Sequence, residues 1–550
     1  MMIAPPQARR LLIVLFRKPG FWLGLMMLLW PPLWGQEDSS RYGGTVLIGL
    51  KGDFDSLNEL RAADSDALQV IQFMLFRSLT RLDEHLQFAP DLAQSWQFSH
   101  GDSVVTFELR RDVRWSDGVP TTAEDVWFTW RLAIDPEVGY PAASRFDLVD
   151  TVIVAGRYEV QFRLRRPYPD VLYDLQMPIL PKHVLEKIPP DSLSAAPFNR
   201  QPIGNGPFIL KEWKANRRVV LEANPNYPPQ RPYLNRVVFT IIPDETVLLN
   251  SLLTGEVDVV PSLTPLGFRQ AQEHPQVRAI RYQGRNFTFV GWNNRHPFFT
   301  VQVRRALTHA INKQEIIQTL LQGFAQPANG PLLPFVWAYD PELPTLEFDP
   351  EKARRLLAEA GWQDTDGDGV REKNGQPFEF SLKTNAGNQI RRDVAVMIQA
   401  QLRQIGVRVN VDIVEWNLLI RQVFGEKDFD ALILGWDADF TVNPAPLWHC
   451  RAIEEGYNLV SYCNPRVDSL LELGRSISDR ERAKPIWREF QRIIVEEAPY
   501  TFLFIPDQLA GVRRRVHGVD MDVRGFLAGI TGWWIPVQQR KYKSRQSYRR

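Results

Sequence analysis

Two carboxylates stand where an apolar strand should end. The stretch Ala431–Phe440 reads ALILGWDADF, a fully apolar run closed by Gly435 and Trp436 with Asp437 and Asp439 behind it. A carboxylate at the end of a buried strand can hold a cationic group, such as an ammonium, by a charge-assisted hydrogen bond. The alternative is that both acids cap a surface loop. A second acidic run, DTDGDGVREKNG from Asp364 to Gly375, places Asp364, Asp366 and Asp368 at calcium-loop positions 1, 3 and 5 and Gly369 at position 6. Position 12, which needs a bidentate Glu, is Gly375. That departure favours an Asp/Gly-rich turn into a strand over 378–384 rather than a bound cation. Cys450 and Cys463 are the two cysteines, and they can pair in an oxidising compartment or stand as separate thiols. Zinc is disfavoured, because only His449 lies close in sequence and a closed site needs four ligands. The eight histidines are scattered, and the HExxH, GxSxG and GxxxxGK motifs are absent. The GNG at Gly204–Gly206 runs into an expected strand, not a helix, so it is no dinucleotide loop. Nothing here supports catalysis, and no cofactor or resident metal is expected.

Elements must position these residues, and 550 of them exceed one core, so two or three domains are expected. The net charge of +1 hides an asymmetry: residues 1–35 carry four basic side chains and no acid, residues 540–550 carry six and none, and the stretch between them carries −9. An acidic body argues against a nucleic-acid partner, which needs a basic face to meet phosphates. The N-terminus has the form of an export signal. RKPG precedes the apolar run Phe21–Trp30, and PPLWGQ follows with helix breakers and the small Gly35. Cleavage is expected near Gly35–Gln36. Gln36 is not Cys, so a lipid anchor at that point is not available; a retained N-terminal anchor is the alternative. The 17 tryptophans could stack on sugars or peptide side chains, though most fall at core-like positions.

Periodicity divides the body in two. Up to about residue 285 strands dominate. Ser103–Trp115 alternates Val105, Phe107 and Leu109 on one face, and a helix beginning at TTAEDVW is expected, capped by Thr121 with Glu124 and striped by Val126, Trp127 and Trp130. Beyond 285, strands alternate with helices. Asn312 and Asp349 are helix caps, Pro350 opens a helix, and Gly361 and Gly406 stop two. These βαβ units imply a parallel or mixed sheet.

The segment LAQSWQFSHGDSVVTFELRRDVRWSDGVPTTAEDVWFTW resembles the signature of the family-five extracellular solute-binding proteins of ABC importers, the oligopeptide, dipeptide and nickel binders. PIGNGPFIL with EANPNY, GEVDVV, VRRALTHAINKQEII and DPEKARRLLAEAGW resemble further blocks in family order, over roughly 44–536. The resemblance implies an α/β fold, a two-lobed type II periplasmic-binding-protein clamp in its three-domain variant, with mixed sheets and a hinge. Domain I would comprise 40–80, 201–285 and 511–540, domain II the β-rich 81–200, and domain III 286–510, after a signal over 1–35. It implies a monomeric periplasmic subunit that binds peptides between its lobes and delivers them to inner-membrane ABC permease subunits. In peptide-binding relatives the motif Gly-Trp-X-X-Asp sets a carboxylate on the peptide's α-amino group. Here that residue is Asp439, after Gly435 and Trp436, with Asp437 between. Some oligopeptide binders have an Arg two residues before this Gly; Ile433 stands there, so the carboxyl end of the ligand is unassigned. Oligosaccharide or nickel-chelate binding is the alternative within the family, and a secreted hydrolase on a clamp scaffold the alternative outside it.

Overall fold

A computed structural model describes residues 39–541. The expected signal over 1–35 and residues 542–550 of the basic tail lie outside the described residues. Strand β1, Thr45–Leu50, buries Val46, Ile48 and Leu50. A four-stranded antiparallel sheet follows, made of β2 (Ala93–Ser99), β3 (Val104–Leu109), β4 (Val149–Gly156) and β5 (Glu159–Leu164) in the order β2-β3-β5-β4. On β3 the alternation expected from sequence appears, with Val105, Phe107 and Leu109 buried.

The remaining long strands join one 12-stranded mixed sheet. They are β6 (Phe208–Lys214), β7 (Arg218–Ala223), β8 (Arg236–Ile241), β9 (Val259–Val260), β10 (Val277–Gln283), β11 (Asn286–Trp292), β12 (Ala325–Pro327), β13 (Glu379–Asn385), β14 (Arg408–Val414), β15 (Ala431–Asp437) and β16 (Tyr500–Arg513). The order is β14-β13-β15-β11-β16-β9-β1-β8-β7-β6, with β10 and β12 also pairing β16. Strand β1 runs parallel to β8 and β9, and β13 parallel to β14 and β15; the other pairs are antiparallel.

The 14-residue β16 belongs to both halves of this sheet. From Tyr500 to Pro506 it pairs β11 and β12, and from Asp507 onward it pairs β10 and β9. The other crossing runs from β10 through Gly284 and Arg285 into β11. There the backbones touch: a Cβ on Gly284 would lie 2.4 Å from the Pro506 carbonyl oxygen. Beside it the Arg281 guanidinium grips buried Asp507 at 2.5 Å.

Strand β15 is apolar throughout because both its faces are covered. Ala431 and Ile433 join Val290, Trp292 and Leu382 in one cluster, with Val394 and Ile398 of the helix Gln389–Arg403. Leu432 and Leu434 join Phe287, Phe289 and Trp448 in another, with Trp487 and Phe490 of the helix Arg480–Glu497. In the other half a single cluster runs without a break from β1 and β8 into the four-stranded sheet.

Two caps sit where the sequence places them: Asn312 accepts from the Glu315 amide at 3.0 Å and Asp349 from the Lys352 amide at 2.8 Å. The cap of the helix Ala123–Ala133 is displaced by one residue. Thr122, not Thr121, is the N-cap, and Asp125, not Glu124, completes the box, its carboxylate accepting from the Thr122 amide at 2.8 Å. Thr121 is instead fully buried and donates its amide to the Val113 carbonyl. The helix accordingly buries Val126, Phe128, Thr129 and Leu132, while Trp127 and Trp130 are only half-buried. The helix Ser65–Val70 widens into a π-turn over Ile71–Leu75. Cys450 and Cys463 are disulfide-bonded, with Cα atoms 4.6 Å apart.

Candidate functional site

The period-2 alternation of β15 decides what each residue of its end can do. Trp436 follows Leu432 and Leu434 onto the face packed by the long helices. It stacks 6.3 Å from Phe289, meets the edge of Tyr457 at 5.9 Å, and its indole N–H donates to the Tyr500 hydroxyl at 3.3 Å. Gly435 is on the opposite face, where a Cβ would meet the Phe287 carbonyl at 2.9 Å and the Arg391 guanidinium at 3.0 Å. Neither residue lines the cavity described below. Trp436 packs among these rings, and Gly435 leaves room for the Phe287 carbonyl and the Arg391 guanidinium.

Asp437 ends the strand opposite Asn286, whose side-chain amide donates to its Oδ1 at 3.4 Å. The chain then leaves the sheet: the Ala438 amide donates to the Arg285 carbonyl at 2.8 Å. Asp439 Oδ1 accepts from the Phe440 amide at 2.8 Å and from the Tyr173 hydroxyl. Tyr173 belongs to the helix Val171–Asp174, so this bond joins two remote parts of the chain.

Asp437 and Asp439 line a cavity of about 640 Å³. Its other walls come from Glu59, Gln69, Arg81, Arg145, Tyr173, Arg285, Arg524 and the stretch 528–532, segments remote from one another in sequence. At its floor, burial pushes the Glu59 carboxyl up to about 7, against the pull of Arg145 and of the Tyr140 hydroxyl that donates to it at 3.0 Å. Burial likewise lifts Asp174 to about 7, opposed by Arg145 and Tyr168. Burial works against the charge on Arg145, yet Tyr140, Tyr173, Asp174 and Asp439 around it hold its pKa above the ordinary arginine value. The enclosure of Tyr173, with the charge of Asp439 beside it, pushes its phenol upward, so it stays a hydrogen-bond donor to that carboxylate.

Two annexes share walls with the cavity. Through Arg81, Asp91, Tyr227 and Thr531 it joins a space of about 470 Å³ lined by Arg77, Arg81, Arg110 and Arg231 against the single carboxylate of Asp91. Arg77, buried and stacked 4.0 Å over Tyr227, takes Asp91 at 2.6 Å, and Arg110 pairs with Asp112 at 2.8 Å. Arg231 lies over the Tyr42 ring, and Arg81 makes no ion pair among the described residues. Through Leu82, Tyr173 and Phe440 the cavity joins a second space of about 560 Å³, rich in aromatic rings.

The acidic loop is separate from all of this. Asp364, Asp366, Asp368 and Glu372 bring ligand atoms within 4.8 Å of one another, Glu372 standing at position 9 rather than 12. Their oxygens serve the loop itself: Asp364 accepts from the Gly367 amide at 2.7 Å and Glu372 from the Thr365 amide at 2.8 Å. The residues that sequence reasoning missed are Glu59, Arg145, Tyr173 and the arginine annex. None sits in a recognisable motif, and only the last left a trace, as arginines in and around the family blocks.

A two-lobed molecule whose halves share two crossing strands, with a cavity between them, defines a solute-binding clamp. Residues 87–457 match the family described as bacterial extracellular solute-binding proteins, family 5 Middle, and the chain belongs to that family. It is similar to the oligopeptide-binding protein AppA of Bacillus subtilis (strain 168), 34% identical over 502 residues that cover 90% of this chain and 92% of the relative. The solved structure of that AppA in complex with a nonapeptide superposes with a TM-score of 0.75, covering 90% of this chain and 99% of the other at 33% identity. NikZ from Campylobacter jejuni in complex with Ni(L-His) superposes with a TM-score of 0.76, covering 89% and 99% at 26% identity. The fold is the type II periplasmic-binding clamp, and the family is one of binding proteins.

Proposed function

We propose that this chain is the exported peptide-binding subunit of an ABC importer, which captures a peptide between its lobes and delivers it to inner-membrane permease subunits. The single observation that carries the reading is the pair Asp437 and Asp439 at the end of β15, facing a cavity of about 640 Å³ walled by both lobes. Asp439 takes the ligand's α-ammonium, with Asp437 as a second negative charge nearby. The arginine annex, four guanidinium groups to one carboxylate, suits the other end of the ligand. An extended peptide could also add to the main chain near the end of β15, a strand-like mode of recognition with tolerant side-chain pockets. In this reading domain I is 40–80, 201–285 and 511–540, domain II is 81–200 and domain III is 286–510; the crossing at Pro506–Asp507 is its hinge.

Calorimetry with free and N-acetylated peptides tests this on the parent, Asp439→Ala and Asp437→Ala. Leaving a buried ammonium unpaired costs about 3–5 kcal/mol, so Asp439→Ala should weaken binding by roughly two to three powers of ten, and acetylation of the peptide should do the same to the parent. Asp437→Ala should cost less. Equal binding of free and acetylated peptides by the parent would sink the assignment. A nickel–histidine chelate is the second reading, motivated by the similarity to NikZ. Titration with nickel and histidine in the same calorimeter separates the two.

A further inference from the structure

The annex beyond Tyr173 and Phe440 is built differently from the rest of the cavity. Phe88, Phe335, Trp337 and Tyr339 supply its walls, and no acidic side chain lines it among the described residues. Its rings are held in place. Phe440 contacts Tyr173 at 5.8 Å and Phe335 at 5.2 Å. The Trp337 indole donates to Asp170 at 3.0 Å. Arg480, bonded to the same Asp170 at 3.0 Å, lies 5.3 Å over Trp337 and 5.6 Å over Phe88.

Its position matters as much as its lining. Phe440 follows Asp439 directly, and Tyr173 donates to Asp439 while forming part of the wall shared by cavity and annex. Resting on the reading that Asp439 holds a ligand ammonium, we propose that this annex is the subsite for the first side chain of the ligand and selects an aromatic or large apolar group there. A side chain on the carbon that bears the ammonium departs one bond from the nitrogen that Asp439 would hold, beside the Tyr173 and Phe440 rings. Walls already fixed by hydrogen bonds and ring contacts lose little freedom on binding. A lysine or arginine side chain is disfavoured, because Arg480 already lies over the Trp337 and Phe88 rings and its charge would repel a second cation. Asp170, which would otherwise attract a cation, is already engaged by Arg480 and Trp337.

The test is calorimetry with three tripeptides that differ only at the first residue, Phe-Ala-Ala, Ala-Ala-Ala and Lys-Ala-Ala, on the parent, Phe335→Ala and Trp337→Phe. Burial of one aromatic side chain should make Phe-Ala-Ala bind about ten- to a hundredfold tighter than Ala-Ala-Ala, with Lys-Ala-Ala the weakest. Phe335→Ala should reduce the preference for Phe at the first position, read as the ratio of Phe-Ala-Ala to Ala-Ala-Ala affinity on the same variant. Trp337→Phe keeps a ring in the wall and should retain most of the preference. If all three peptides bind the parent equally, the peptide reading stands and this subsite is overturned. The subsite is overturned in the same way if Phe335→Ala keeps the full preference. If none of the three binds, the peptide reading itself fails and the subsite with it.

Discussion

Glu59 lines the cavity with a carboxyl largely shut away from water, and its proton is therefore part of the protein's stability. Burial raises its pKa to about 7 in the folded chain, while the unfolded value is the ordinary 4.5. The folded state then binds more protons between those two values, so the stability this group contributes is fully present below pH 4.5 and lost as pH rises through about 7. Glu59→Gln keeps the shape and cannot ionise. Its stability relative to the parent should grow between pH 5 and pH 8, by about 2 kcal/mol. Urea unfolding of both proteins at the two pH values checks this, and a constant difference would show that the carboxyl stays ionised in the fold. Asp439 is held differently: its Oδ1 accepts from the Phe440 amide at 2.8 Å and from the Tyr173 hydroxyl, which fixes the direction in which the carboxylate faces the cavity.

At the scale of elements, β16 is the strand on which both halves of the sheet are strung. Its neighbours change at Pro506–Asp507, and the second crossing passes through Gly284 at the same level. Gly284→Ala would drive a methyl group to 2.4 Å from the Pro506 carbonyl, closer than real Cβ atoms come. Overpacking of that kind should cost about 1–3 kcal/mol. Gly52→Ala, where nothing lies within 4 Å, is the control and should fall within about 0.5 kcal/mol of the parent. Equal denaturant midpoints for the two variants would mean that the crossing strands separate without strain.

Across the whole molecule, Asp170 ties the segment 81–200 to the segment 286–510. Its buried carboxylate accepts from the Trp337 indole, the Val442 amide at 2.8 Å and Arg480 at 3.0 Å. All three partners lie in the other lobe, and the Asp439–Tyr173 bond is alongside. Asp170→Ala removes the shared acceptor; Asp170 lines neither the cavity nor the aromatic annex itself, although it holds Trp337 and Arg480 of the annex wall. The closed arrangement should become less populated, and apparent peptide affinity falls with the competent fraction. A loss of about tenfold is expected, with a larger radius of gyration in small-angle scattering of the unliganded protein. Scattering and affinity identical to the parent would show that closure does not depend on this knot.

What was legible in the sequence follows from local physics. An apolar run such as ALILGW reads as a strand covered on both faces, the side-chain oxygens of Asn312 and Asp349 read as caps, and the family blocks stand in order along the chain. Each of these depends on neighbours a few positions away. Which threonine caps the helix at 122 was not legible, because Thr121 was claimed by a hydrogen bond to distant Val113. The face taken by Trp436 was not legible either: periodicity separates 435 and 437 from 436, but it does not say which side becomes a cavity. The cavity itself was decided only by tertiary structure. Tyr173 and Asp439 meet across 266 positions, and Glu59, Arg145 and the two annexes are assembled across similar separations. A wall built from remote segments leaves no spacing to read, because nothing in the local chain requires those residues to be neighbours until the two halves of the sheet fold around β16.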